Sequence, residues 1–525
     1  MAPLRNVETA EPSAGDGRQT PARLIFAFVL ACAIERAIAM LVTGFKGDEA
    51  YTLVVSRTLA LSYFDHPPLH QWILHGFVAL SGEGRWARAP FCATIVLANI
   101  PMFGLSRRLF GREAAYWTLF AFNAATYVLV LPDGFIVPDM TLQLSLLSAG
   151  WAMAEILFAP AGGVGRTTAL WLALGIALGG AGLSKYSAIF APLGFFGFFL
   201  GAPTHRRWLW DIRPYLGALV ALAIFSPVLI WNWQNDWLSL SFQASRATPH
   251  QLSFDIQSLL DWLGILGSQI GLLSPWVFAP LALALIRAAR NRDADGPERF
   301  LLWLVAPPLA LLVLMPLFGQ YVLPHWFNSA WLFAFPLAGQ WLAGKSRIWL
   351  KTWGLWTAAL AAATAIIYIL AMNLGMFWIM SRLPPDANDP TVLSYDWPDV
   401  SRTRAWAALG VPAPAFVVAD NWRYGGKVGA ALGPEFPVCT LGDDPREFAF
   451  TCDTSAWIGK DAVIVVVKAD AERGLKALAP YFARIDAPQE FTVGRGGRAE
   501  QVFVLARGRA LTHPYVFPYG PHREK

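Results

Sequence analysis

The sequence has few charged residues for its length. Only 15% of its 525 residues are Asp, Glu, Lys or Arg, whereas soluble globular proteins carry about 25%. Hydrophobic residues make up 55%, and the net charge is only +5. A scattered charge this small argues against a nucleic-acid-binding protein, whose basic residues form a dense patch. The composition therefore predicts an integral membrane protein.

Cysteine is also scarce, with four residues in the whole chain. Cys32 and Cys92 lie in apolar runs, where free cysteines are usually small buried residues. Cys439 and Cys452 lie in the polar C-terminal part, where an oxidising compartment would allow a disulfide. The sequence does not give the Cα separation that a bridge requires. A bridge and two unrelated buried thiols therefore remain alternatives.

The N-terminus does not have the short apolar segment of a cleaved signal peptide. Residues 1–23 are polar and are expected to form a cytoplasmic tail. The next run, Leu24–Val42, is long enough to cross a bilayer and predicts a retained first helix.

Residues 24–382 contain about eleven apolar runs that hydropathy predicts to span the membrane. The runs are Leu24–Val42, Ala89–Leu109, Ala114–Leu131, Val137–Phe158, Leu170–Leu183, Ser187–Leu200, Pro214–Trp231, Leu259–Leu285, Phe300–Phe318, Asn328–Leu342 and Trp349–Leu374. The run from 259 to 285 is long enough to contain a break. The predicted fold class is an α-helical polytopic membrane protein with about 11–13 transmembrane helices.

Basic residues follow every second predicted span, and they predict the orientation of the chain. They are Arg107, Arg108 and Arg112, then Arg166, then Arg206, Arg207 and Arg213, then Arg287, Arg290 and Arg292, then Lys345, Arg347 and Lys351. Positively charged loops stay in the cytoplasm. An odd number of spans then places the C-terminus outside.

The composition changes after about residue 383. A Pro- and Asp-rich linker precedes short apolar runs with turns between them, at Ala415–Ala419, Ala462–Val467 and Gln501–Ala506. The stretch Arg473–Phe482 is helical in pattern. Residues 383–525 are therefore predicted to form a small extracytoplasmic α/β domain.

Ionisable residues recur in the predicted outer loops and at the outer ends of the spans. They are Asp48, Glu49, Asp65, His66, Asp133, Asp139 and Lys185. A single loop carboxylate is usually just solvated, but a set of this size predicts one shared cavity. Carboxylates beside a lysine and a histidine suit a site that holds an anionic group and removes a proton from an acceptor.

Several motifs resemble those of a known family. They are Gly47-Asp48-Glu49-Ala50-Tyr51, Ser56-Arg57, Tyr63-Phe64-Asp65-His66-Pro67-Pro68-Leu69, Pro138-Asp139 and Gly182-Leu183-Ser184-Lys185-Tyr186. In this order they resemble the GT-C membrane glycosyltransferases, in the bacterial branch related to protein O-mannosyltransferases and the lipid A aminoarabinose transferase. The resemblance covers residues 24–340 and continues more loosely at Val418-Ala419-Asp420-Asn421-Trp422 and Gly459-Lys460-Asp461-Ala462.

The resemblance implies transfer of a hexosyl or pentosyl group from a polyprenyl-phosphate donor. The acceptor would be lipid A, a polysaccharide or a protein at the outer face of a bacterial cytoplasmic membrane. It implies a monomer that binds membrane lipids and no nucleic acid. A divalent metal ion is a candidate cofactor.

The resemblance also assigns roles to residues. Asp48 is implied as the general base, with Glu49 beside it as a second catalytic candidate. The donor-phosphate ligands are Arg57, His66 and Lys185, the substrate ligands are Asp133, Asp139 and Tyr51, and the metal ligands are Asp65 and His250. Two positions depart from the family pattern: His66 stands where the aminoarabinose transferase has a lysine, and Ser245-Arg246 stands where many relatives have His-Arg.

Two other classes of function are compatible with the sequence. A lipid or sugar transporter would favour internal repeats and polar groups near the membrane midplane, whereas the candidate acids cluster at one face. A non-catalytic sugar-binding protein would not need the acids of the first outer loop. The sugar, the acceptor and the stereochemistry stay open.

Overall fold

The structure is a computed structural model that describes residues 22–131, 134–160, 162–247, 256–318, 322–374, 392–397, 415–495 and 498–521. Residues 22–374 form a bundle of apolar helices, and residues 416–511 contain a β-sheet with helices packed against it. The predicted fold class, a polytopic helical membrane protein with a small C-terminal α/β unit, is confirmed.

The bundle is built from helices joined by short turns. They are α1 (Ala22–Val42), α2 (Gly47–Val55), α3 (Leu69–Ser81), α4 (Ala89–Ala124), α5 (Thr126–Leu129), α6 (Pro138–Phe158), α7 (Val164–Ser184), α8 (Phe190–Gly201), α9 (Ile212–Gln234), α10 (Leu238–Ala247), α11 (Ile256–Leu273), α12 (Pro275–Arg290), α13 (Pro297–Leu314), α14 (Asn328–Trp331), α15 (Phe335–Ala343) and α16 (Arg347–Leu374).

Eight helices in the described ranges are long and apolar enough to cross a membrane. A ninth candidate is the bent pair Tyr186–Gly201 and Pro203–Trp210. One of the eight, which includes α4, doubles back on itself at Gly111, where φ is 87°. The hydroxyls of Ser106 and Thr118 lie 2.7 Å apart, although a continuous helix would separate them by about 18 Å. The arms of α4 therefore correspond to two separately predicted runs.

The predicted run from 259 to 285 is two helices rather than one. The break falls at Ser274, whose φ is 70°. Pro275 begins α12, and a residue that precedes proline is disfavoured in the helical region. The Ser274 hydroxyl is satisfied by a 2.8 Å hydrogen bond with that of Thr126.

Two of the basic loops meet at one end of the bundle. Glu155, near the end of α6, pairs with Arg108 at 2.8 Å and with Arg166 at 3.1 Å. Asp139 lies in the first turn of the same helix. Sixteen residues of α-helix span about 24 Å, so Asp139 lies near the opposite end of the bundle from these arginines.

The C-terminal sheet mixes parallel and antiparallel strands. Its strands are β1 (Phe416–Ala419), β2 (Val438–Thr440), β3 (Ala462–Val467), β4 (Phe482–Ile485), β5 (Gln489–Arg495) and β6 (Arg498–Leu511). The order is β2-β1-β3-β6-β4, and β5 also pairs with β6. β1 runs parallel to β2 and β3, whereas β6 is antiparallel to its neighbours. The three predicted apolar runs coincide with β1, β3 and part of β6.

Three helices accompany the sheet: α17 (Trp422–Leu432), α18 (Phe448–Thr451) and α19 (Ala471–Leu478). The helix predicted at Arg473–Phe482 is thus α19, but it begins two residues earlier and ends at Leu478. Phe482 instead begins β4, with its side chain buried in the core of the sheet.

A disulfide joins Cys439 in β2 to Cys452 just after α18. The two Cα atoms are 5.8 Å apart, within the range that a bridge needs. Closing a loop of this length stabilises the folded state by up to about 3 kcal/mol in the chain-entropy description. Cys32 and Cys92 are free and buried, as the sequence predicted.

Helix α17 packs directly on α2 and thereby joins the sheet to the bundle. A Cβ at Gly426 would lie 2.5 Å from the backbone of Tyr51, and one at Gly429 would lie 2.7 Å from Val54. Between these glycines, the buried Lys427 ammonium donates a 2.6 Å hydrogen bond to the carbonyl of Phe45. The two glycines therefore permit a backbone contact too close for any larger residue.

Candidate active site

A cavity of about 340 Å³ opens where the bundle meets the C-terminal sheet. Its lining is strongly charged, with carboxylates, cationic groups and imidazoles in close proximity. The carboxylates are Asp48, Asp65 and Asp139; the cations are Lys185, Arg246, Arg423 and Arg446; the imidazoles are His66, His70 and His325. Most of the candidate residues thus meet at the end of the bundle opposite the basic loops.

Asp48 and Glu49 are neighbours in the first turn of α2, but they point in different directions. Successive residues of an α-helix are rotated by about 100°. The half-buried Asp48 therefore lines the cavity, whereas Glu49 turns into the bundle and is fully buried. Because only Asp48 borders the cavity, it is the member of the pair that a substrate can reach.

The Glu49 carboxylate is saturated with hydrogen bonds from the protein. It forms an ion pair with Arg88, with an N–O distance of 2.6 Å, and both side chains are buried. The backbone N–H groups of Lys46, Phe135 and Ile136 also donate to it. This arrangement favours a structural role for Glu49, because the carboxylate cannot leave these partners without leaving the charge of Arg88 unpaired in an apolar interior.

Lys185 and Asp139 form an ion pair on the wall of the cavity. The Lys185 ammonium lies 2.9 and 3.0 Å from the two oxygens of Asp139. Lys185 directly follows α7, where the helix ends. Two residues predicted separately as phosphate and substrate ligands therefore form one unit, in which Asp139 fixes the position of the ammonium.

The His66 imidazole lines the cavity as a neutral group. Burial, together with the nearby Lys185 ammonium, lowers the pKa of His66 to about 3. Its Nδ1 atom is buried and has no hydrogen-bond partner in the described structure. The Nδ1 atom of His66 can therefore exchange a hydrogen bond with a ligand in the cavity.

Arg57, which the sequence predicted as a phosphate ligand, is not among the residues that line the cavity. Its guanidinium forms a bidentate pair with Glu83, at 2.7 and 2.8 Å, and donates to the carbonyl of Gly429 at 2.9 Å. These contacts fill the fork that would otherwise bind an anion. Arg57 instead ties the first loop to α17.

Asp65 lies at the centre of contacts between the bundle and the C-terminal domain. It is buried, and an oxygen of its carboxylate is 3.8 Å from the Arg446 guanidinium. Burial raises the pKa of Asp65, while Arg446 opposes this shift. Tyr51, a predicted substrate ligand, also lines the cavity, and its hydroxyl accepts a 3.0 Å hydrogen bond from the backbone of Glu447.

Among the described residues, Asp65 does not belong to a cluster of metal ligands. Within the described ranges, no group of three or more His, Cys, Asp or Glu side chains is arranged to hold one. The nearest charged partner of Asp65 is a guanidinium, which is itself a cation. Of the remaining predicted site residues, Asp133 and His250 lie outside the described residues.

Several lining residues had no role assigned to them from the sequence. Arg446, Trp422 and Arg423 come from the C-terminal domain, about 400 residues from Asp48 in the chain. Arg246 and His325 come from the second half of the bundle. The one available signal was the Asn421-Trp422 pair, where Asn421 caps α17 by accepting from the backbone of Arg423 and so directs Trp422 toward the bundle.

Comparison with known sequences gives two partial matches. Residues 65–231 match the family described as dolichyl-phosphate-mannose-protein mannosyltransferase. Lipid A galacturonosyltransferase RgtD of Rhizobium johnstonii is 27% identical over 278 residues, which make up 52% of this chain and 55% of RgtD. The matched region thus spans about half the length of that relative.

Comparison with solved structures extends over most of the chain. The crystal structure of ArnT from Cupriavidus metallidurans bound to undecaprenyl phosphate matches with a TM-score of 0.63 at 19% identity, and covers 93% of this chain and 98% of ArnT. The apo oligosaccharyltransferase of Archaeoglobus fulgidus matches with a TM-score of 0.50 at 13% identity, over 87% of this chain and 71% of its own. These proteins share the fold of the present chain.

Proposed function

We propose that this chain, whose fold is that of the GT-C membrane glycosyltransferases, transfers a sugar from a polyprenyl phosphate to a lipid A-type acceptor. The observation that carries the proposal is the cavity that Asp48 and the Lys185–Asp139 pair line together. The similarity to a lipid A galacturonosyltransferase and to a structure with bound undecaprenyl phosphate supports the same donor and acceptor classes.

The reaction assigns one task to each side of the cavity. The acceptor hydroxyl transfers its proton to the Asp48 carboxylate as its oxygen bonds to the anomeric carbon of the sugar. The bond from that carbon to the phosphate oxygen breaks, and the polyprenyl phosphate leaves with the bonding electrons. Lys185, oriented by Asp139, stabilises the charge that develops on the leaving oxygen.

His66 and Tyr51, which also line the cavity, are suited to bind the sugar. His66 offers a ring nitrogen without a protein partner in the described structure, and Tyr51 adds a hydroxyl. Hydroxyl-rich ligands are commonly oriented by such uncharged donors and acceptors. A hexosyl or a pentosyl group would be oriented by the same contacts.

The orientation in the membrane follows from the separation between the cavity and the basic loops. Arg108 and Arg166 gather at one end of the bundle, and positive loops favour the cytoplasm. The cavity and the C-terminal domain would then face the periplasm of a bacterial cytoplasmic membrane.

Purified protein in lipid nanodiscs, supplied with polyprenyl-phosphate sugars and lipid A, tests the proposed function. We expect a product whose mass equals that of the acceptor plus one sugar residue, with release of polyprenyl phosphate. A transporter would move the donor between leaflets without forming that product. Absence of product from hexosyl, uronosyl and pentosyl donors alike would contradict the proposed activity.

The Lys185→Ala variant should weaken use of the donor. Removing a cation that bonds a phosphate oxygen costs about 1.5–3 kcal/mol, so we expect kcat/KM for the donor to fall by about 10- to 100-fold. Steady-state kinetics with varied donor measures the change. The Arg57→Ala variant is the matched control, because its guanidinium pairs with Glu83 outside the cavity; a loss confined to Arg57→Ala would reverse the two assignments.

Transfer should persist in excess chelator. The charged group nearest to Asp65 is the Arg446 guanidinium, and this cation would repel a metal ion placed beside it. Activity measured before and after dialysis against a chelator tests this, with purified protein assayed for residual metal. Loss of activity that is restored by a divalent cation would return Asp65 to the role of metal ligand.

A further inference from the structure

The C-terminal domain inserts one loop into the cavity. This loop runs from Cys439 to Cys452 and is closed by the disulfide between them. Arg446, within the loop, lines the cavity together with residues of the bundle. Its φ is 52°, a backbone conformation that non-glycine residues adopt only when the surroundings hold them there.

The loop is fixed to the bundle on both sides of Arg446. Glu447, which is fully buried, accepts a 2.6 Å hydrogen bond from the backbone of Phe64 through its carboxyl group. The backbone N–H of Glu447 donates to the Tyr51 hydroxyl, and that of Arg446 donates to the Tyr519 hydroxyl at 2.8 Å. The ring of Phe64 stacks on Tyr519, with 4.3 Å between centroids. These contacts therefore fix the position of the loop at the edge of the cavity.

The Arg446 guanidinium is held so that part of its hydrogen-bonding edge faces the cavity. It stacks against the rings of Phe242 and Trp422, at 4.9 and 4.8 Å. Its Nε donates to Asp444 at 2.9 Å. The Asp65 oxygen nearest to Nη1 is 3.8 Å away, too far for a hydrogen bond. A planar guanidinium restrained in this way is suited to bidentate binding of an oxyanion.

A second guanidinium reinforces this positive region. Arg246 lies over the same Phe242 ring at 5.4 Å and over Trp326 at 4.9 Å. No carboxylate of the described residues lies within ion-pair distance of Arg246. Two adjacent guanidinium groups repel each other, and an anion bound between them would relieve this repulsion.

We propose that Arg446 binds an oxyanion of the sugar donor, so that the disulfide-closed loop of the C-terminal domain forms part of the donor site. The inference rests on the proposed function for the identity of the donor. The oxyanion is either the lipid phosphate or a carboxylate on the sugar, which share the same bidentate chemistry. In either case the bundle alone lacks a complete donor site.

Binding of undecaprenyl phosphate, measured by native mass spectrometry without turnover, tests the inference independently of catalysis. We expect the Arg446→Gln variant to bind this lipid about 10-fold more weakly, as the loss of one charged hydrogen bond predicts. Undecaprenol, which has no phosphate, serves as the control lipid and should bind both proteins equally. Arg473→Gln is the matched control variant, because Arg473 is on the C-terminal domain but 83% exposed.

Kinetics with the complete donor separates the two possible oxyanions. If undecaprenyl phosphate binding is unchanged but KM for a uronosyl donor rises, Arg446 binds the sugar carboxylate. If both are unchanged in a folded Arg446→Gln protein, the inference is wrong, while the proposed function stands on Asp48 and Lys185. Arg446→Lys keeps the charge without the fork and should give an intermediate KM.

The double variant Cys439→Ser with Cys452→Ser tests the contribution of the disulfide. We expect KM for the donor to rise in the same direction as in Arg446→Gln, with kcat changed less than KM. A loss of general stability would instead lower the amount of active protein and leave KM unaltered. Wild-type KM in this double variant would show that the loop is positioned without the bridge, and that part of the inference would fail.

Discussion

The Asp48→Asn variant should lose transfer activity by at least about 100-fold, since a positioned general base contributes about 10²–10⁴ to a rate. The amide has nearly the same shape as the carboxylate but cannot accept the proton of the acceptor hydroxyl. Asp48 is half-buried on the cavity wall, so the substitution leaves the Glu49–Arg88 pair behind it intact. Product formation under single-turnover conditions measures the chemical step directly.

Donor binding and folding provide the controls for this variant. The Asp48→Asn protein should bind undecaprenyl phosphate as the wild type does, because Lys185 and Asp139 remain paired. Asp470→Asn, an acid on the surface of the C-terminal domain, should leave turnover unchanged. If Asp48→Asn turned over at a near-normal rate, another residue would have to be the base.

The Glu49→Ala variant should be severely destabilised. It leaves the Arg88 guanidinium, whose side chain is 1% exposed, without its carboxylate partner. Removing one member of a buried ion pair costs about 3–5 kcal/mol. The N–H groups of Phe135 and Ile136 lose their acceptor as well. Thermal unfolding in detergent, followed by tryptophan fluorescence, measures the loss.

A comparison with Glu83 tests whether this effect depends on burial. Glu83 pairs with Arg57 in a similar bidentate manner, but both side chains are partly exposed. Glu83→Ala should therefore lower stability by much less, on the order of 1 kcal/mol. A Glu49→Ala protein that kept wild-type stability while losing turnover would restore a catalytic role for Glu49.

The candidate residues that the structure brings together lie close to the predicted spans. Asp48, Asp139 and Lys185 each lie at or next to a helix end, so the alternation of spans was enough to bring them to one face. The chemistry of His66 could not be predicted in the same way. Its imidazole was expected to bind the donor phosphate, but burial lowers its pKa, and burial depends on tertiary packing.

Glu49 and Arg57 illustrate a different limit. A motif shows which residue types are present but not which partner each side chain finds. Glu49 follows Asp48 directly and yet faces Arg88, because the helix rotates between them. Arg57 precedes the Asp65 motif and yet faces Glu83. Neither Arg88 nor Glu83 belonged to a motif, so the sequence did not indicate that they would form ion pairs with Glu49 and Arg57.

Arg446 was missed because it joins the cavity through a loop of a separate domain. Nothing in its local sequence, Asp443-Asp444-Pro445-Arg446-Glu447, distinguishes it from a solvent-exposed turn. Its position depends on long-range contacts with Tyr51 and Phe64. The helix break at Ser274, by contrast, can be predicted from the sequence, because Pro275 restricts the backbone of the residue before it.

The contact between the Cys439–Cys452 loop and α2 has a consequence for the biogenesis of the protein. The hydrogen bond between Tyr51 and Glu447 joins groups 396 residues apart in the chain. At a synthesis rate of about 5–20 residues per second, Asp48 would emerge from the ribosome roughly 20–80 s before the loop that completes the cavity beside it. A partly synthesised chain, or one truncated before the sheet, would therefore expose Asp48 without the part of the cavity lining that Arg446 and Trp422 contribute.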